Sequence, residues 1–207
     1  LFPFRKLLFT VRPFHMAHWH SFDCEARMQS KYYVMEYCEG RSLGDRLRTG
    51  GTLPWSEALE YMLQAARGLA YAHQHGLVHR DIKPDNLFLT QGNVIKILDL
   101  GLARDLDAQG EVSLTQTGTT VGTPHYLSPE QARAVPDLDG RADLCSLGAT
   151  FYDLLTGRPP FDGENAAMVM AHLLTADFPC VADVNPEVPE GLSLVIDRLL
   201  SREREDR

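Results

Sequence analysis

The sequence predicts an α+β fold, a mainly helical lobe with small strand pairs at a cleft, attached to a remnant of an antiparallel sheet. Three observations predict it. Ala58, Leu59, Met62, Ala65, Ala66, Leu69 and Ala70 recur at three- and four-residue steps and draw one continuous apolar stripe along a helix. Two short apolar runs, Asn86 to Leu89 and Val94 to Leu98, flank the bend Gln91-Gly92-Asn93 and read as paired strands. Tyr32 to Tyr37 is a β-branched and aromatic run, a strand that stops at Cys38-Glu39-Gly40.

Taken in order, residues 1 to 30 mix aromatics, prolines and the three close histidines His15, His18 and His20 without a sustained period, and support at most a short strand around His18 to Phe22. A short helix is expected over Ser42 to Arg48. A longer one starts near Pro54, with Glu57 in its first turn, and stops at Gly76. Beyond Arg141 the pattern is helical again, over Asp143 to Leu155, Asn165 to Leu174 and Leu192 to Leu200, and Thr156-Gly157-Arg158-Pro159-Pro160 ends the first of these.

Composition narrows the classes. At 207 residues the chain can bury a sizeable core, and 44% apolar with 23% charged residues is an ordinary globular mix. The net charge of −8 comes from scattered acids with no basic run, which argues against nucleic acid as a partner. Cys24, Cys38, Cys145 and Cys180 form no CxxC pair and read as reduced thiols, so a cytoplasmic location is expected. No window approaches 18 apolar residues, and Leu1 to Phe14 is interrupted by Pro3, Arg5, Lys6, Arg12 and Pro13, so the chain is expected to hold no membrane segment. A membrane anchor beyond its end stays open.

The chemistry concentrates in His79-Arg80-Asp81-Ile82-Lys83-Pro84-Asp85-Asn86, followed thirteen residues after Asn86 by Asp99-Leu100-Gly101. Two carboxylates and an amide thus arrive from adjacent turns. Phosphoryl transfer asks for that set: one carboxylate to accept or orient a hydroxyl proton, and oxygen ligands to hold magnesium on phosphates. The octet resembles the catalytic loop of protein kinases, and Asp-Leu-Gly resembles their magnesium-binding Asp-Phe-Gly with Leu100 in place of Phe. The resemblance is to bacterial Hanks-type serine/threonine kinases. It implies a kinase-like α+β fold, ATP and Mg2+ as cofactors, and proteins bearing Ser or Thr as substrates. Asp81 would be the catalytic base, Asn86 and Asp99 the magnesium ligands, and Lys83 a contact to the transferring phosphate. A lysine at that place is similar to serine/threonine rather than tyrosine kinases.

The same resemblance assigns further residues. Residues 99–130 look like an activation segment that ends in Ser128-Pro129-Glu130, with Thr115 and Thr117 as phosphosite candidates whose phosphates would pair with Arg80. Thr123 would bridge Asp81 and Lys83, Glu130 would pair with Arg207, and Asp143 would brace the catalytic loop from a helix start. Residues 36–40 resemble the hinge, with backbone groups of Glu36 and Cys38 on adenine, Met35 as gatekeeper, and Phe88 and Leu98 on the adenine floor. By spacing alone, Phe88 and Leu98 fit an ordinary core better.

Residues 1–35 read as a partial N-lobe remnant and 41–207 as the C-lobe. Neither a GxGxxG loop nor a Val-Ala-Ile-Lys strand occurs in the sequence, and both ends look cut relative to the family, whose final helix has no counterpart. The leading expectation is a protein serine/threonine kinase of impaired activity. Its alternatives are a nucleotide-binding pseudokinase scaffold, a small-molecule phosphotransferase, against which Gly122 to Glu130 argues, and a metal site at His15, His18 and His20. A sheet cut to a remnant exposes an edge, so self-association is also expected.

Overall fold

The computed structural model describes residues 37–99 and 124–207. The predicted strand over Tyr32 to Tyr37, the strand near His18 to Phe22 and the histidine cluster lie outside the described residues, apart from Tyr37, which is in no strand.

A small sheet precedes and flanks the helical body. Strand β1 (Gly40–Ser42) leads directly into helix α1 (Leu43–Gly50), and α2 (Trp55–Gln74) follows. After the 79–86 segment come β2 (Leu87–Thr90) and β3 (Ile95–Ile97). The sheet is antiparallel in the order β1-β2-β3, with Ser42 opposite Phe88 and Phe88 opposite Lys96. Four helices complete the body: α4 (Gly140–Thr156), α5 (Ala166–Thr175), α6 (Val181–Val184) and α7 (Glu190–Leu199), preceded by the single-turn α3 (Pro129–Ala132).

Local chemistry explains the boundaries. Ser42 is the cap of α1 rather than its first residue: its hydroxyl accepts from the Asp45 N–H at 3.0 Å, and its backbone still belongs to β1. That dual role is why β1 escapes a sequence reading. Helix α2 ends at Gln74 and is closed by Gly76 at φ +73°, where a left-handed turn favours glycine. Helix α4 begins at Gly140, earlier than the expected Asp143, because the Asp139 carboxylate accepts from the Arg141 N–H at 2.9 Å and caps it there. Asp143 therefore lies in the first turn, not at the helix start. The short helices α3 and α6 carry too few residues for a periodic signal.

Helix α4 is the axis of the molecule. Thirteen of its 17 residues are buried, Phe151 and Leu154 fully so, and it packs against α2 on one side and α7 on another. The α2 stripe supplies Ala58, Met62, Ala65 and Leu69 to the same core, together with Ile82, Leu87 and Ile97. Gly148 allows α7 to approach, since a Cβ there would sit 2.8 Å from the Leu199 Cβ. Gln64 ties α2 to the sheet, accepting from Ile95 N–H at 2.8 Å and donating to Asn93 O at 3.2 Å. A second small cluster of Phe161, Val169 and Leu173 seats α5. No described helix is long and apolar enough to cross a membrane.

Because Phe151 is fully enclosed at the centre of α4, Phe151→Ala should lower the unfolding free energy by about 3–5 kcal/mol. Urea denaturation measures it, and a loss under about 1 kcal/mol would show that α4 is not the packing axis.

Candidate active site

The 79–86 segment is pinned from below by one buried carboxylate. Asp143, 1% exposed at its side chain, accepts the His79 N–H at 2.8 Å and the Arg80 N–H at 2.7 Å, and its Oδ2 lies 2.8 Å from His73 Nε2. Burying a carboxylate is costly unless donors surround it, and here three converge from two elements. Gly140 keeps the His73 ring in place, because a Cβ at that position would fall 2.4 Å from its Nδ1.

His79 carries the anchorage upward. Its Nε2 lies 2.6 Å from Leu98 O and its Nδ1 accepts the Asp81 N–H at 3.2 Å. A carbonyl can only accept and an amide N–H can only donate, so the ring holds its proton on Nε2. The Leu98 N–H donates to Asn86 O at 2.8 Å, which brings Asp99, one residue on, beside the same segment. Arg80 and Asp99 both adopt left-handed backbone, φ +69° and +58°, conformations costly for residues with side chains and characteristic of functional turns.

The head groups come together around Asp81. Lys83 Nζ donates to both Asp81 oxygens, at 3.0 and 2.8 Å, and Asn86 Nδ2 donates to Asp81 O at 2.7 Å and Oδ2 at 2.9 Å. Asn86 is buried, while the Asp81 side chain remains 54% exposed. The carboxylate is thus oriented by two donors and still open on its outer side. Asp99 is exposed. Pro84 at the first position of a short 3-10 turn, residues Pro84–Asn86, turns Asn86 back toward Asp81.

Farther out, Gln131 Nε2 donates to Arg80 O at 2.7 Å, which joins α3 to the loop, and the Ser128–Gln131 capping box holds that glutamine. Arg207 makes a bidentate contact to Glu130, 2.7 and 2.9 Å, and also donates to the carbonyls of Arg141, Ser201 and Arg202. Its side chain is wholly enclosed. Burial pushes the Glu130 carboxyl up, but the Arg207 hydrogen bonds and charge bring it to a net position below the usual carboxylate value.

Leu98 is buried at 4% exposure and Phe88 is half-buried, opposite Ser42 and Lys96 on neighbouring strands. Cys38 is half-buried, with Lys96 Nζ 2.8 Å from its Sγ. Met35, Glu36, Thr115, Thr117 and Thr123 lie outside the described residues. Sequence reasoning missed His73 and Gln131. A histidine in the last turn of a helix reads as a complement to the helix dipole, and nothing in its spacing marks a carboxylate on another helix. An open cavity of about 450 Å3 abuts the loop at Pro84 and Asp85, between α1, Tyr126, Asp153 and Gly157. Asp81, Lys83, Asn86 and Asp99 do not line it.

An oriented, half-open aspartate, an enclosed amide and a second carboxylate arriving on an adjacent turn are the residue types that phosphoryl transfer asks for. Comparison with known proteins makes the class specific. The family described as "Protein kinase domain" matches residues 15–207, which takes in part of the segment before residue 36. The chain is 40% identical over 180 residues to the serine/threonine-protein kinase PknB of Mycolicibacterium smegmatis, covering 85% of this chain and 28% of that protein. It is 37% identical over 176 residues to PknB of Mycobacterium leprae, covering 85% and 28%, and 39% identical over 170 residues to PknB of Mycobacterium tuberculosis, covering 82% and 26%. The chain therefore belongs to the protein kinase domain family, of the bacterial Hanks type, and it spans just over a quarter of the length of these relatives.

The Glu130–Arg207 pair yields a pH-dependent expectation. A carboxyl whose folded value is lowered contributes stability that is present above its ordinary value of 4.5 and is lost as pH falls through the folded value. At pH 7, Arg207→Met should cost about 3–5 kcal/mol by stranding a buried charge. The gap between variant and wild type should narrow below pH 4.5 in urea titrations, and a gap constant down to pH 3 would contradict the assignment.

Proposed function

We propose that the chain carries the catalytic lobe of a protein serine/threonine kinase that transfers the ATP γ-phosphoryl group to Ser or Thr hydroxyls of proteins. The observation that carries the reading is the Asp81 carboxylate, held on one side by Lys83 and Asn86 and open on the other. Asp81 accepts or orients the proton of the incoming hydroxyl. Lys83 balances the charge that builds on the transferring group beside it.

Asn86 and Asp99 would hold magnesium. Both of the Asn86 side-chain contacts run through Nδ2, so its amide oxygen is the hard donor it presents. No three-residue cluster of His, Cys, Asp or Glu suited to a metal occurs among the described residues. One carboxylate with one carbonyl oxygen fits an ion that shares its shell with phosphates and water. Magnesium, when bound, supplies charge neutralisation to the phosphates. The chain's own residues supply position: Asp143 and His79 fix the loop, and the Leu98 bonds to Asn86 and His79 bring Asp99 beside it.

In the same reading residues 36–40 form the hinge between a partial upper lobe, residues 1–35, and the lower lobe, 41–207. Backbone groups of Glu36 and Cys38 would hold adenine, with Met35 as gatekeeper and Phe88 and Leu98 on the adenine floor. Thr123 would bridge Asp81 and Lys83, and phosphates on Thr115 and Thr117 would pair with Arg80. The exposed Leu194 and Val195 on α7 and the three-residue edge strands accompany a tendency to self-associate.

Magnesium-dependent transfer from γ-labelled ATP to a basic protein substrate tests the reading. Asp81→Asn should reduce labelling by about 10²–10⁴-fold with an unchanged circular dichroism spectrum. Asp99→Asn should chiefly remove magnesium-dependent nucleotide binding. Equal loss of folding in both variants would undo these roles, and a folded wild type that binds nucleotide without transferring label would favour a scaffold instead.

A further inference from the structure

The contact between Cys38 and Lys96 has no part in the proposed transfer. Lys96 Nζ donates to Cys38 Sγ at 2.8 Å, across the width of the sheet, since Cys38 enters β1 and Lys96 stands on β3 with β2 between them. Both residues are half-buried, enclosed enough to hold their geometry and open enough to admit a small oxidant. We propose that Cys38 and Lys96 form a peroxide-responsive sulfur–nitrogen cross-link.

The other described cysteines lack this setting. Cys145 is enclosed in α4, and burial pushes its thiol up to about 12. Cys180 donates to Asp197 at 3.1 Å, and that carboxylate raises its thiol as well. Both surroundings disfavour the thiolate, the form that attacks peroxide. Cys38 is the described cysteine with a lysine in contact with its sulfur.

The chemistry takes two balanced steps. Hydrogen peroxide oxidises the Cys38 sulfur by two electrons: its O–O bond breaks, one oxygen becomes the sulfenic hydroxyl, and the other leaves as water. Lys96, having released its ammonium proton to solvent, then attacks the sulfur. The S–N bond forms, the S–OH bond breaks, and hydroxide departs as water with one amine hydrogen. No further oxidant is needed, and the chain loses two hydrogens overall. A thiol reductant reverses the link by attacking the same sulfur. The link would fix the entry to β1 against β3, three residues before Asp99. An effect of the link on nucleotide binding at Asp99 rests on the reading above, whereas formation of the link does not.

The test is peptide mapping by mass spectrometry of the full chain after hydrogen peroxide, for wild type, Lys96→Arg and Cys38→Ser. Wild type should give a joined peptide pair containing Cys38 and Lys96, lighter by two hydrogens, that dithiothreitol separates. Lys96→Arg should instead carry Cys38 onward to sulfinic acid, and Cys38→Ser should give neither product. Circular dichroism of each variant confirms that folding is not the variable. Sulfinic acid at Cys38 in wild type to the same extent as in Lys96→Arg overturns the proposal, as does a joined pair that retains an oxygen atom. Because the readout is mass, it is independent of whether the chain transfers phosphate.

Discussion

Asp143 is the constraint on which the rest depends. Its carboxylate is removed from water inside the first turn of α4, and it is tolerable there only because the amides of His79 and Arg80 and the ring of His73 converge on it. Those donors come from the end of α2 and from the loop that carries Asp81. The packing of α2 on α4 and the position of the loop are thus coupled. Moving either helix would strand a buried charge, so core packing and site geometry are stabilised together.

From that anchor the order spreads in two directions. Upward, His79 reaches Leu98 and, through it, the turn at Asp99, so both proposed magnesium ligands are referenced to one helix. Outward, Gln131 grips Arg80 from α3, and α3 is itself held by the enclosed Glu130–Arg207 pair. The strained backbone of Arg80 persists because its N–H is held by Asp143 and its carbonyl by Gln131.

Much of this was legible in the sequence, for identifiable reasons. The α2 stripe and the paired runs around Gln91-Gly92-Asn93 obey periods that packing imposes on any chain, and the structure places α2, β2 and β3 within a residue or two of them. The cluster of Asp81, Lys83 and Asn86 was legible because its members are close in sequence and share one turn. β1 was not, since its three residues pair with a strand 46 to 50 positions away in the chain, a relation that leaves no local pattern. His73 was missed for the same reason: its partner is Asp143, 70 residues on. Asp139 caps α4 from outside the expected span, and Gly140 behind it leaves room for the His73 ring of another helix, a relation with no local pattern.

The central claim is that Asp143 holds the 79–81 backbone, and amide hydrogen exchange in wild type and Asp143→Asn tests it directly. Exchange at His79 and Arg80 should accelerate by about 10- to 150-fold, the equivalent of the 1.5–3 kcal/mol carried by a hydrogen bond to a charged group, while amides within α4 around Phe151 keep their protection. Unchanged exchange at His79 and Arg80, or a uniform acceleration through α4, would contradict it.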